Sequence, residues 1–132
     1  MYWWTTSGYL TAIAGASHYF DTSIISYSNK AKINILKIPK NILNLFGAVS
    51  EETAQSMVIG LSSIVDSNII LSITGIAGPD GGSNQKPVGT VCFGLYANKM
   101  LTSNTYHFSG NREEIRHLAC KQALLLILKN LD

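Results

Sequence analysis

The chain has 132 residues, of which 46% are hydrophobic and 14% charged, with a formal net charge of +2. That length and apolar content suit one domain over 1–132 with a core of its own, and they exclude a disordered chain. The small charge, without a basic stripe interleaved with aromatics, argues against nucleic acid as a partner. No apolar run reaches the length of a membrane span, so a membrane partner is not expected either.

The start, Met1-Tyr2-Trp3-Trp4, has no basic region followed by a clean apolar stretch. It does not read as a signal peptide, and the cytoplasm is the expected location. Two adjacent tryptophans are an apolar liability if exposed, and cover a core edge if buried. The spacing then predicts a short helix over 5–13 ended by Gly15, and a short β-branched strand at 23–27. Asn29 can cap a helix over 30–36. Pro39 breaks it, and a further helix over 41–46 ends at Gly47.

Ser50-Glu51-Glu52 opens a clear helix, because Ser50 can accept from the first-turn amides and the two carboxylates suit the positive end of the helix dipole. Ala54, Met57, Val58 and Leu61 recur on one face as its buried side. Strands are expected at 68–73, 88–97 and 101–108. Asn98-Lys99 is short enough to join the last two as an antiparallel hairpin. Asn111 caps a final helix, whose apolar face runs through Ile115, Leu118, Ala119, Gln122 and Leu125-Leu126. The order predicts an α/β fold, a layered α/β/α domain with a mixed sheet of about four strands and helices on both faces.

Three places could carry chemistry. The segment 75–87 holds four of the chain's 11 glycines and two of its 3 prolines, between two apolar runs. Glycine lets backbone approach a ligand closely, and successive N–H groups in such a loop can cradle an anion. A long hairpin connection without a ligand fits the spacing equally well. Tyr27-Ser28-Asn29, followed by Lys32, gathers a phenol, a hydroxyl, an amide and an amine at a strand exit. A lysine acts as a base when burial lowers its pKa, although a solvated helix lysine beside a Ser-Asn cap is the plainer reading of these residues alone. Ser109-Gly110-Asn111-Arg112 suits an anion at a helix start, or simply a cap with a surface arginine. Cys92 and Cys120 form no metal-ligand pattern and read as buried free thiols, and the three histidines are scattered.

Together these stretches resemble one family. Tyr-Ser-Asn-x-Ala-Lys at 27–32, Gly-Ala-Val-Ser-Glu-Glu at 47–52, Thr-Gly-Ile-Ala-Gly-Pro-Asp-Gly-Gly at 74–82, Lys-Pro-Val-Gly-Thr-Val at 86–91 and Ser-Gly-Asn-Arg at 109–112 match, in order and spacing, the C-terminal domain of the CinA (competence/damage-inducible) proteins. That domain also exists as a stand-alone nicotinamide-nucleotide amidohydrolase. The resemblance implies hydrolysis of the carboxamide of nicotinamide mononucleotide to nicotinate mononucleotide and ammonia, a step in pyridine-nucleotide recycling, with no metal and no cofactor. It implies a serine nucleophile assisted by the residues matching Lys32 and Tyr27. Thr74, Gly75, Gly78, Gly81, Gly82 and Arg112 would contact the substrate or its phosphate.

Two departures follow from the same resemblance. The family's serine lies in a Glu-Ser-Cys-Thr-Gly-Gly motif. Counted back without gaps from Ile13-Ala14-Gly15, that serine falls just before Met1. The expectation is a chain lacking the motif and the helix and first strand that precede it in the family, with little or no activity of its own. Ser7, the nearest replacement, would sit about 10 Å away along a helix rising roughly 1.5 Å per residue, out of reach of a base. Asn111 stands where the family usually has aspartate, which removes a carboxylate beside Arg112. A lost strand would leave an unpaired edge that invites pairing with another chain, and a homodimer would cover it. The alternatives to an amidohydrolase are a non-catalytic nucleotide-binding or oligomerisation module, or a degenerate remnant.

Overall fold

A computed structural model describes residues 3–131 of the chain. Helix α1 (Trp3–Thr11) and a 3-10 turn (Ala16–His18) lead to α2 (Asn29–Leu36), α3 (Lys40–Phe46) and α4 (Glu51–Ser62). Strands β1 (Ile70–Gly75), β2 (Thr90–Ala97) and β3 (Met100–His107) follow, and α5 (Arg112–Leu128) ends the fold.

Local chemistry explains most boundaries. Ser50 caps α4 by accepting from the Thr53 amide at 3.1 Å, with Glu51 and Glu52 in the first turn. Asn111 and Glu114 form a reciprocal capping box that starts α5, satisfying two first-turn donors at once. Ser28, not Asn29, caps α2, accepting from Ala31 N at 3.0 Å; Asn29 is already the first helical residue. Asn98 and Lys99 both take left-handed backbone, with φ of 51° and 60°, which is the tight hairpin turn expected between β2 and β3.

The strands form one antiparallel sheet in the order β1-β2-β3. The α/β class stands, but among the described residues the sheet has three strands, all antiparallel, in place of a mixed sheet of about four. The stretch 23–27 is not a strand in this structure. A strand needs a neighbour for its backbone groups, and 23–27 pairs with none among the described residues. It is held instead by Ile24, which packs with α2, α3 and α4, and by hydrogen bonds from Lys32 to its last carbonyls.

The sheet lies between two helical layers. Val91, Phe93 and Ile73 point to one face, where Ile115, Ala119, Ala123 and Leu126 of α5 complete a core. Ser72 and Gly94 point to the other, where α4 lies so close that the Ser72 hydroxyl donates to the Ala54 carbonyl at 2.6 Å. Leu36, Ile38, Leu43 and Met57 form a second core beyond α4. On α5 the buried face is turned from the expected one, since Ala123 and Cys120 are buried while Leu125 is exposed. Cys120 faces α1, accepting from Thr6 Oγ1 at 3.3 Å. Both cysteines are buried free thiols. The Trp3 side chain lies outside the described part, while Trp4 is half exposed with the Arg116 guanidinium 5.2 Å from its ring centre.

Candidate functional site

A cavity of about 140 Å³ opens where the ends of several elements meet, lined among others by Tyr27, Lys32, Thr74, Gly75 and Arg112. Residues from 27 to 112 thus converge at the carboxyl end of β1, between the starts of α2, α4 and α5.

Lys32 is its most unusual member. It is 5% exposed, and its Nζ donates to the Ser26 carbonyl at 2.9 Å and the Tyr27 carbonyl at 3.2 Å. Burial penalises the ammonium and pulls its pKa below that of an ordinary lysine. The side chain borders the cavity.

The opposite wall is built by side-chain donors pinning consecutive carbonyls. Thr74 Oγ1 donates to Ala48 O at 2.6 Å. Ser50 Oγ and Thr53 Oγ1 both donate to Gly47 O, at 3.2 and 2.7 Å. Lys86 Nζ, from the glycine loop, donates to Phe46 O. Ala48 and Val49 are thereby held against the cavity. Arg112 closes the site from α5, its Nη1 donating to Gly78 O at 2.7 Å.

The sequence-derived set is only partly brought together. Lys32, Tyr27, Thr74, Gly75 and Arg112 line the cavity, and Gly78 joins through its carbonyl. The Tyr27 side chain is largely exposed, and its contribution to Lys32 runs through its backbone oxygen. Gly81 and Gly82 sit apart, in the exposed tip of the loop against Ile76 and Val88. The loop is at once a hairpin connection, closed at its base by Ile76 N to Thr90 O and Gly89 N to Ile76 O, and one wall of the site. Asn29, from the Tyr27-Ser28-Asn29 stretch, lines the cavity too, while Ala48, Val49 and Ala77 do so without having stood out in the sequence. Apolar residues placed by their backbone carry no chemical signal. Ser7 is elsewhere, donating to Ser23 Oγ at 2.9 Å.

Known proteins share this fold. The competence/damage inducible protein CihA from Agrobacterium tumefaciens superposes with a TM-score of 0.92 at 35% identity, over 97% of this chain and 79% of that one. The competence damage-inducible protein A from Klebsiella pneumoniae gives a TM-score of 0.90 at 29% identity, over 96% of this chain and 79% of that one. A CinA-like protein of Leptospira biflexa is 50% identical over 123 residues, covering 92% of this chain. One of Petrotoga mobilis is 45% identical over 119 residues, covering 90%. The chain spans 30% of the length of each of these two relatives. The CinA C-terminal domain model matches residues 5–131, which takes in every element that builds the cavity, and the chain belongs to the CinA C-terminal domain family.

Proposed function

We propose that the cavity is a carboxamide-hydrolysing site for nicotinamide mononucleotide, and that these 132 residues supply its base and its anion contacts. The observation that carries the reading is Lys32, a buried side chain on the cavity wall whose Nζ donates to the Ser26 and Tyr27 carbonyls. In the reaction a hydroxyl oxygen attacks the carboxamide carbon and passes its proton to Lys32. The tetrahedral oxyanion gathers charge near the backbone walls of the cavity. Lys32 returns the proton to the departing nitrogen, ammonia leaves, and water hydrolyses the resulting ester to nicotinate mononucleotide. Arg112 attracts the substrate phosphate while holding Gly78.

No hydroxyl among the described residues hydrogen-bonds to Lys32 Nζ. Thr74, which lines the cavity, directs its hydrogen to Ala48 O, and Ser28 Oγ is committed to the α2 cap. That favours a second reading of the isolated chain, as a module that binds the nucleotide without turning it over. The two are separated by titrating the purified chain with nicotinamide mononucleotide in a calorimeter while measuring ammonia. Saturable binding that Arg112→Ala weakens and Lys32→Met leaves near the parent value, without ammonia release, fits the site as drawn. Turnover abolished by Lys32→Met means that a nucleophile is present. Absence of binding removes the nucleotide reading altogether.

A further inference from the structure

Asn29 stands at the cavity without a part in holding the fold together. It is the first residue of α2, exposed, and on the cavity wall. The usual task of an asparagine near a helix start is to cap the first-turn amides. Here Ser28 does that, accepting from Ala31 N at 3.0 Å. The Asn29 side chain makes no hydrogen bond among the described residues. Helix stability does not call for it either, since alanine or glutamate would serve an exposed first-turn position better.

The other polar side chains of the wall are largely committed. Lys32 Nζ donates to the Ser26 and Tyr27 carbonyls, Thr74 Oγ1 to Ala48 O, and Arg112 Nη1 to Gly78 O. Only the Tyr27 phenol and the Asn29 amide line the cavity without a protein partner among the described residues. A phenol has one O–H that donates or accepts, so it suits an amide and an acid alike. A side-chain amide sets an acceptor and a donor side by side in one plane. Asn29 also precedes Lys32 by three positions, which puts the two on one face of α2, a turn apart.

We infer that Asn29 is a specificity-determining residue, which recognises the primary carboxamide of the ligand by amide–amide pairing. Its Oδ1 accepts from the ligand –NH2 and its Nδ2 donates to the ligand carbonyl. The inference rests on the reading of the cavity as a carboxamide site, and adds how that site tells its substrate from its product. A carboxamide presents a donor and an acceptor, and both are matched. A carboxylate presents two acceptors, so one oxygen meets Nδ2 while the other is set against Oδ1, lone pair to lone pair. The pairing holds the amide and disfavours the acid that hydrolysis leaves. The two cations of the wall, Lys32 and Arg112, do the reverse, because a cation binds a carboxylate more strongly than a neutral amide. Discrimination in favour of the amide therefore needs a neutral group, and Asn29 is the wall residue that supplies a donor and an acceptor together.

The test titrates the whole chain, Asn29→Leu and Asn29→Asp with nicotinamide mononucleotide and with nicotinate mononucleotide, and reads the ratio of the two affinities. Ser28 keeps the α2 cap in both variants, and thermal unfolding run alongside checks that they fold. Asn29→Leu should weaken the amide nucleotide about tenfold and the acid nucleotide little, so the ratio falls about tenfold. Asn29→Asp still accepts from the –NH2 and repels a carboxylate, so it should keep the ratio at or above the parent value while lowering both affinities. An asparagine with only a structural role would shift both nucleotides by the same factor. An unchanged ratio in Asn29→Leu, or a ratio that falls as far in Asn29→Asp, overturns this inference and leaves the reading of the cavity standing. Binding of neither nucleotide by the parent chain overturns both.

Discussion

Arg112 reaches back across 34 positions to donate from Nη1 to the Gly78 carbonyl at 2.7 Å. One bond therefore ties the start of α5 to the glycine loop, and the fold itself to the mouth of the cavity. Arg112→Ala should cost about 1 kcal/mol of stability, the net worth of a partly exposed hydrogen bond to a charged donor. It should weaken nucleotide binding by more than that loss implies, and urea unfolding alongside calorimetry checks both. Arg112→Lys keeps the charge but loses the planar fork, so restored affinity in that variant would show that charge alone is used.

Lys32 gives the chain a stability that depends on pH. Burial lowers its pKa from the 10.5 of an ordinary lysine, so the unfolded chain holds this proton more tightly than the folded one. Below the folded pKa both states are protonated and the burial penalty is fully present. As pH rises through the folded pKa toward 10.5, the folded state sheds its proton first and the penalty is relieved. This group therefore makes the protein more stable with rising pH in that window. Lys32→Met removes the titration, so the variant's stability relative to the parent should fall steadily across it. A difference that stays constant with pH in urea unfolding would mean that the carbonyl bonds, and not desolvation, set this group's proton affinity.

Much of the fold was written in short-range signals. Ser50-Glu51-Glu52, Asn98-Lys99 and Asn111 with Glu114 act within a few residues, so their caps and turn follow from residue type alone. The stretch 23–27 shows where that logic stops. Its β-branched run suits a strand, but pairing is a property of the neighbour, and no neighbour can be read from 23–27 itself. Lys32 is similar. Its residue type allows many roles, while what sets it apart is burial and bonds to two backbone carbonyls, groups that every residue carries and no motif displays. Gly81 and Gly82 looked like ligand contacts because the loop was glycine-rich throughout. The loop's tip is exposed and outside the cavity lining, to which only the start of the loop, at Gly75 and Ala77, contributes.

Thr74 bridges the end of β1 to the segment before α4. Thr74→Val keeps the shape and removes the 2.6 Å bond to Ala48 O, leaving that carbonyl without this donor. The expected loss is about 1–3 kcal/mol in urea unfolding. Thr74→Ser, which keeps the hydroxyl, should recover most of it. Nucleotide affinity should follow the same order, because Ala48 and Val49 form the wall that the bond holds. Affinity unchanged in Thr74→Val would place the ligand away from that wall.

Two glycines in regular elements should respond oppositely to the same methyl group. A Cβ at Gly94 would lie 2.5 Å from Ala54 O and 2.6 Å from Ser72 Oγ, inside the contact that lets α4 lie on the sheet. The Ser72–Ala54 hydrogen bond and the backbone of α4 would both have to move. Gly94→Ala should therefore cost about 1–3 kcal/mol, as overpacking does in close-packed interiors. A Cβ at Gly8 in α1 meets nothing within 4 Å. There alanine only restricts the unfolded chain and favours the helix, so Gly8→Ala should add up to about 1 kcal/mol. Thermal unfolding of the two variants side by side separates the effects. If Gly94→Ala proved as harmless as Gly8→Ala, the close seating of α4 on β2 would be wrong, and with it the placement of the α4 start against the cavity.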